Sequence, residues 1–105
     1  MTYDSAFTAL ADPRRREILS ALRDGPAAVG EIAATQPVSR PAVSQHLKVL
    51  MAANLVSVER QGARRLYYVQ REGLEGLRHW LDGFWDDALS AFGAEVTRQM
   101  EQEDD

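Results

Sequence analysis

The chain has 105 residues, a formal net charge of −4 and no cysteine. That length suits one domain with a modest core, and the missing thiols exclude both a disulfide frame and a thiolate metal site. No apolar run approaches the about 20 residues of a membrane span and no signal-peptide pattern opens the chain, so a soluble cytoplasmic protein is expected.

The charge is unevenly divided. Residues 1–71 hold ten Arg/Lys against six Asp/Glu, a local +4, whereas residues 72–105 hold two against ten, a local −8. Binding follows the local field rather than the total, so a basic body with an acidic end remains compatible with a polyanion. Residues 101–105, Glu-Gln-Glu-Asp-Asp, read as a frayed, solvated acidic tail.

In chain order, Phe7, Leu10 and Ala11 predict a short first helix that ends at Asp12-Pro13, because the residue before a proline is pushed away from helical angles. Asp12 then caps a second helix with Pro13 at its first position, and Ile18, Leu19 and Leu22 form its apolar face up to Gly25-Pro26. Arg14, Arg15 and Arg16 fall in the first turn, where the helix dipole disfavours cations. They either reach DNA backbone or pair with nearby carboxylates. A short helical piece over residues 29–35 follows, with Val29, Ile32 and Ala33 inward.

The most informative stretch is Pro37 to Leu50. Ser39 reads as an N-cap, Pro41 sits in the first turn where its missing N–H costs little, and Val38 and Val43 form a hydrophobic staple. At about 100° per residue, Val43, Leu47 and Leu50 share one face, while Pro41, Ser44, Gln45 and Lys48 share the opposite one. No carboxylate occurs between Glu31 and Glu59. A Gln pairs bidentately with adenine in the major groove, and Arg40 and Lys48 suit guanine edges or phosphates. An ordinary solvated helix face with two cations is the competing reading. With the preceding helix, this stretch makes a helix-turn-helix, and Asn54 ends it by accepting the left-handed cap conformation.

From residue 55 the period changes. Val56 and Val58 alternate with Ser57 and Glu59, and Leu66-Tyr67-Tyr68-Val69 is rich in strand formers, which predicts a β-hairpin turning at Gln61-Gly62-Ala63. Arg60, Arg64 and Arg65 sit at its tip and shoulders, suited to phosphates or a minor groove. Residues 72–100 then read as one long helix with Leu74, Leu77, Leu81, Phe84, Ala88, Phe92 and Val96 spaced by three or four. Trp80, Trp85 and Leu89 widen that stripe beyond what one small domain covers. An isologous homodimer interface is therefore expected from Leu81, Phe84, Trp85, Ala88 and Phe92, joined by Phe7 and Leu10 of the first helix.

Phe7-Thr8-Ala9-Leu10-Ala11-Asp12-Pro13-Arg14-Arg15-Arg16-Glu17-Ile18-Leu19, Pro41-Ala42-Val43-Ser44-Gln45-His46-Leu47-Lys48-Val49-Leu50 and the run from Gly62 to Tyr68 resemble the ArsR/SmtB winged-helix repressors over nearly the whole chain. The resemblance implies a mainly α fold with a small β-hairpin, a winged helix-turn-helix that dimerises through its terminal helices, with residues 1–100 as one DNA-binding and dimerisation domain. It also implies a homodimeric repressor that binds double-stranded DNA at a partly palindromic operator, often its own. By position, Ser39, Arg40, Ser44, Gln45, His46 and Lys48 match the DNA-facing helix, and Arg60, Arg64 and Arg65 match the wing. His46 flanks the core face, so it either orients the helix or touches DNA.

Metal-sensing relatives carry Cys-Val-Cys where this chain has Ala28-Val29-Gly30, so it resembles the metal-independent branch, and no cofactor is expected. His79, Asp82 and Asp86 fall at helical spacing but do not match the family's other metal motif; a metal-responsive repressor with a non-cysteine site stands as an alternative. Ala28 also stands where relatives often have a capping Ser or Thr, which predicts a less firm start to the third helix. Two other classes compete: a protein-interaction module using the long helix, and an enzyme. For catalysis the chain offers no Cys nucleophile, no Gly-rich phosphate loop and only His46 and His79, in no triad pattern. The sequence does not name an inducer.

Overall fold

Asp12 and Pro13 divide the first helical stretch in two in the computed structural model, which describes residues 3–103. Helix α1 (Tyr3–Ala11) stops there, and α2 (Pro13–Ala21) starts with Asp12 as N-cap, its carboxylate accepting from the Arg14 and Arg15 amides at 2.7 and 3.4 Å. Two of the three arginines of that first turn find their compensation in α1. Arg15 Nε donates to the Ala9 carbonyl at 2.6 Å, and Arg16 Nη1 donates to those of Leu10 and Ala11 at 2.8 and 3.2 Å. Cations disfavoured by the start of α2 thus satisfy the orphan carbonyls at the end of α1. Arg14 pairs with Glu17 at 2.6 Å and donates to Gln36 at 3.1 Å, and Arg15 also lies 3.5 Å from the Asp12 carboxylate.

Helix α3 (Val29–Ala34) is short and lacks a side-chain cap at Ala28, as the missing hydroxyl predicts. Only the reciprocal half of a capping box forms, with the Glu31 carboxylate accepting from the Ala28 amide at 2.9 Å. Helix α4 (Arg40–Ala52) begins at Ser39, whose hydroxyl accepts from the Ala42 amide at 3.3 Å. It ends where Asn54 takes φ of 60°, the left-handed residue that closes the helix.

Strands β1 (Val56–Gln61) and β2 (Arg64–Val69) pair antiparallel with Val56 opposite Val69 and Gln61 opposite Arg64. The two-residue loop holds Gly62 at φ of 62°, which suits the first central position of a hairpin turn. A third segment joins at the base. Ala27 and Tyr67 exchange both backbone hydrogen bonds, at 2.9 and 2.8 Å, which ties β2 to the approach of α3.

The core gathers Ala9 of α1, Ile18 and Leu22 of α2, Ile32 of α3, Val43, Leu47 and Leu50 of α4, Leu55, Val56 and Tyr67, and Leu77 of the last helix. That helix, α5 (Arg71–Glu103), is 33 residues long, about 50 Å at 1.5 Å per residue. Its start is fastened to the end of α4: the Gly73 amide donates to the Asn54 carbonyl at 2.9 Å, and a Cβ on Gly73 would stand 2.6 Å from that oxygen. Leu74 and Leu77 pack on the core, but every side chain described from Arg78 onward is exposed, so α5 projects from the body and the molecule as a whole measures 75 × 26 × 22 Å.

One expectation needs correction. The long helix does not stop at residue 100: Glu101, Gln102 and Glu103 continue it, because Glu, Gln and Met are good helix formers and outweigh the unfavourable acid at a helix C-terminus. Only Asp104 and Asp105 of the expected acidic tail lie outside the described residues. Leu10, expected at the partner surface with Phe7, is half-buried against the protomer's own core.

Candidate nucleic-acid interface

The two faces of α4 separate as the periodicity predicts. Val43, Leu47 and Leu50 are fully buried, while Arg40, Pro41, Gln45 and Lys48 are exposed and Ser44 and His46 are half-buried. Ser39 holds the first turn in place, so the exposed side chains project from a helix whose end is fixed and whose back is anchored in the core. The arrangement displays one amide, hydroxyls and cations on a rigid ridge, with no carboxylate on α4.

His46 lies near Asp12, the α2 cap. The Arg14 amide beside Asp12 holds its carboxyl below the ordinary 3.8; partial burial pushes the other way, and the Arg15 amide, the Arg15 guanidinium and His46 add to the lowering. His46 is half-buried, between the buried face and the exposed ridge that carries Gln45 and Lys48.

The hairpin stands beside this ridge. Arg60 and Arg65 face each other across the strands, both exposed. Like charges directly opposite on a sheet destabilise it, so this pair is poised for an external anion. Arg64 is placed differently. It reaches Glu31 of α3 at 2.5 Å, and the same Glu31 oxygen caps the Ala28 amide. Arg40 also leans on α3, with its guanidinium over Gly30. Neither Glu31 nor Gly30 stands out as part of the site in the sequence, because their partners lie 33 and 10 positions away and no local pattern links them.

At the other end of the molecule Phe7, Trp80 and Phe84 form an exposed aromatic patch that continues along α5 through Leu81, Trp85, Leu89 and Phe92. Ala88 lies on the same exposed helix. His79, Asp82 and Asp86 are exposed on α5, and among the described residues no three His, Cys, Asp or Glu side chains group in a way that would hold a metal ion. Among those residues no helix is long and apolar enough to cross a membrane.

A model of the family described as "bacterial regulatory protein, arsR family" matches residues 12–58, from the Asp12 cap into β1. The HTH-type transcriptional regulator Rv2034 of Mycobacterium tuberculosis is 54% identical over 89 residues, which cover 85% of this chain and 83% of that protein. The transcriptional repressor SdpR of Bacillus subtilis is 33% identical over 81 residues, 77% of this chain and 90% of that one. Among solved structures, an ArsR-like transcriptional regulator from Rhodococcus sp. RHA1 matches with a TM-score of 0.74 at 32% identity, over 86% of this chain and 88% of that one. The homodimeric winged helix-turn-helix DNA-binding domain of Mb0332 from Mycobacterium bovis matches with a TM-score of 0.64 at 30% identity, over 81% and 79%.

Proposed function

This chain belongs to the arsR family of bacterial regulatory proteins, and we propose that it acts as a cytoplasmic homodimeric repressor that reads a two-fold-related operator through paired α4 helices and wings. The observation that carries this reading is the carboxylate-free outer face of α4, anchored from behind by three fully buried side chains. Gln45 is the base reader, and Ser39, Arg40, Ser44 and Lys48 hold backbone or guanine edges. Arg60, Arg64 and Arg65 of the wing lay positive charge along the phosphates, and His46 orients the ridge from its place beside Asp12. Catalysis forms no part of this reading, since His46 and His79 stand on α4 and α5, outside any triad.

The second copy docks on the exposed stripe of α5 with Phe7. Trp85 and Phe92 are 61% and 67% exposed in a single protomer, an apolar display that a two-fold partner covers. The homodimeric Mb0332 domain supports the same arrangement by likeness. Two α4 helices related by that axis reach half-sites about 34 Å apart, one turn of B-DNA.

Footprinting on DNA upstream of the gene tests the reading directly. It expects protection of two inverted half-sites about one helical turn apart, lost at high salt. Equal affinity for every duplex, with no protected site, would defeat it.

A further inference from the structure

We propose that the first turn of α3, Gly30 with Glu31, is a seat that sets two arginines from different elements, Arg40 of α4 and Arg64 of β2, as one preformed clamp for a single DNA phosphate. The inference rests on the DNA-binding reading above and makes Gly30 and Glu31 positioning residues for it. Gly30 leaves room: a Cβ there would stand 2.9 Å from Arg40 Nη2 and 3.1 Å from its Cζ, so any other residue pushes the guanidinium off α3. Glu31 supplies the second hold, binding Arg64 at 2.5 Å with the oxygen that also accepts from the Ala28 amide at 2.9 Å. The backbone pair of Ala27 with Tyr67 keeps β2 against the same stretch, so the wing arrives at α3 in a fixed register.

Both guanidiniums are held against adjacent residues of one helical turn, Gly30 and Glu31, and in the proposed clamp one phosphate lies between them. One carboxylate stands beside them, and α4 adds none. The site keeps an excess positive charge and presents planar forks that match phosphate oxygens. Prior seating matters because both side chains are long, and ordering them in the free protein removes part of the entropy cost of binding.

The test measures fluorescence anisotropy of a duplex carrying the footprinted site, and of a scrambled duplex, across a salt series. The proteins are the full chain and its Arg40→Gln, Arg64→Gln, double, Gly30→Ala and Glu31→Gln variants. Each single arginine variant is expected to flatten the log–log salt slope by well under about 0.9, because the other guanidinium still neutralises the shared phosphate, and the double variant by about 0.9. Gly30→Ala is expected to reproduce the Arg40→Gln slope while melting no lower than wild type, since Ala favours helix over Gly. Glu31→Gln keeps an acceptor for the Ala28 amide and is expected to weaken DNA binding without unfolding α3. Losses of about 0.9 from each single variant, additive in the double, would assign the arginines to separate phosphates and overturn the clamp. Unchanged or tighter binding by Gly30→Ala or Glu31→Gln would overturn the seat, the latter by showing that Glu31 only repels DNA. A wild-type chain that binds neither duplex removes the DNA reading itself, a result distinct from a normal binder with additive arginines.

Discussion

Phe7 meets Trp80 edge-on, with ring centroids 5.4 Å apart and planes at 83°, and Trp80 in turn stacks on Phe84 at 5.5 Å and 10°. The edge of one ring against the face of the next is the favoured aromatic geometry, so this contact braces α1 against α5. The outer surfaces stay open, Trp80 at 42% and Phe84 at 58% exposed. Such a braced patch suits the dimer interface proposed above, because its side-chain order is largely set before a partner arrives.

From that patch follows the first prediction. Trp85→Glu and Phe92→Glu are expected to leave the far-UV circular dichroism of the protomer intact, because neither ring is part of its core. Each is expected to weaken dimerisation by about 2 kcal/mol or more, about thirtyfold in Kd. Analytical ultracentrifugation checks both, and a wild-type chain that sediments as a monomer at micromolar concentration would remove the dimer and the half-site spacing with it.

Gln45 and Lys48 stand on the same exposed face of α4 yet are expected to fail differently. Gln45→Ala should lose about 1–3 kcal/mol on operator DNA and little on random sequence, since an amide reads a base edge. Lys48→Ala should weaken both alike and flatten the salt slope by about 0.9, as the loss of one phosphate contact does. Binding isotherms on the two duplexes separate the roles, and equal losses for Gln45→Ala take it out of base readout.

Local chemistry makes most of α4 legible in the sequence: Ser39 as cap and Asn54 as terminator both depend on residues within a turn of the helix end they close. The hairpin is equally plain from its change of period. What the sequence does not display is tertiary. Arg14, Arg15 and Arg16 look misplaced at the start of α2 because, beside the local carboxylates of Asp12 and Glu17, their acceptors are the α1 carbonyls of Thr8 to Ala11 and the Gln36 amide, all outside α2. Arg64 reads as one of three equivalent wing cations, and only the fold brings Glu31 beneath it. The end of α5 departs from expectation for a different reason: high charge suggests fraying, whereas Glu and Gln also sustain a helix.

The weak start of α3 gives a stability prediction. Ala28 already holds cap geometry, with φ of −84° and ψ of 161°, and Glu31 already bonds its amide. Ala28→Ser is expected to complete the box and raise stability by about 0.5–1 kcal/mol, while Ser39→Ala, which removes an existing cap, is expected to lower it by about 1 kcal/mol. Urea melts at neutral pH measure both, and an Ala28→Ser variant less stable than wild type would show that the α3 start has no room for the hydroxyl.

Asp12 carries the pH prediction. The Arg14 amide, foremost among its neighbours, lowers its pKa below 3.8 in the folded chain. A carboxyl depressed by folding binds its proton more tightly when unfolded, so unfolding takes up protons and stability falls with falling pH. The Asp12 contribution is therefore complete above 3.8 and is lost progressively as pH drops through that value toward the lower folded one. Asp12→Asn keeps an oxygen for the Arg14 and Arg15 amides but cannot titrate. It is expected to be less stable than wild type at about pH 6 and to close the gap toward about pH 3, where wild-type Asp12 is itself being neutralised. Chemical denaturation across that range checks the sign. A gap that stays constant would mean that folding does not lower the Asp12 pKa.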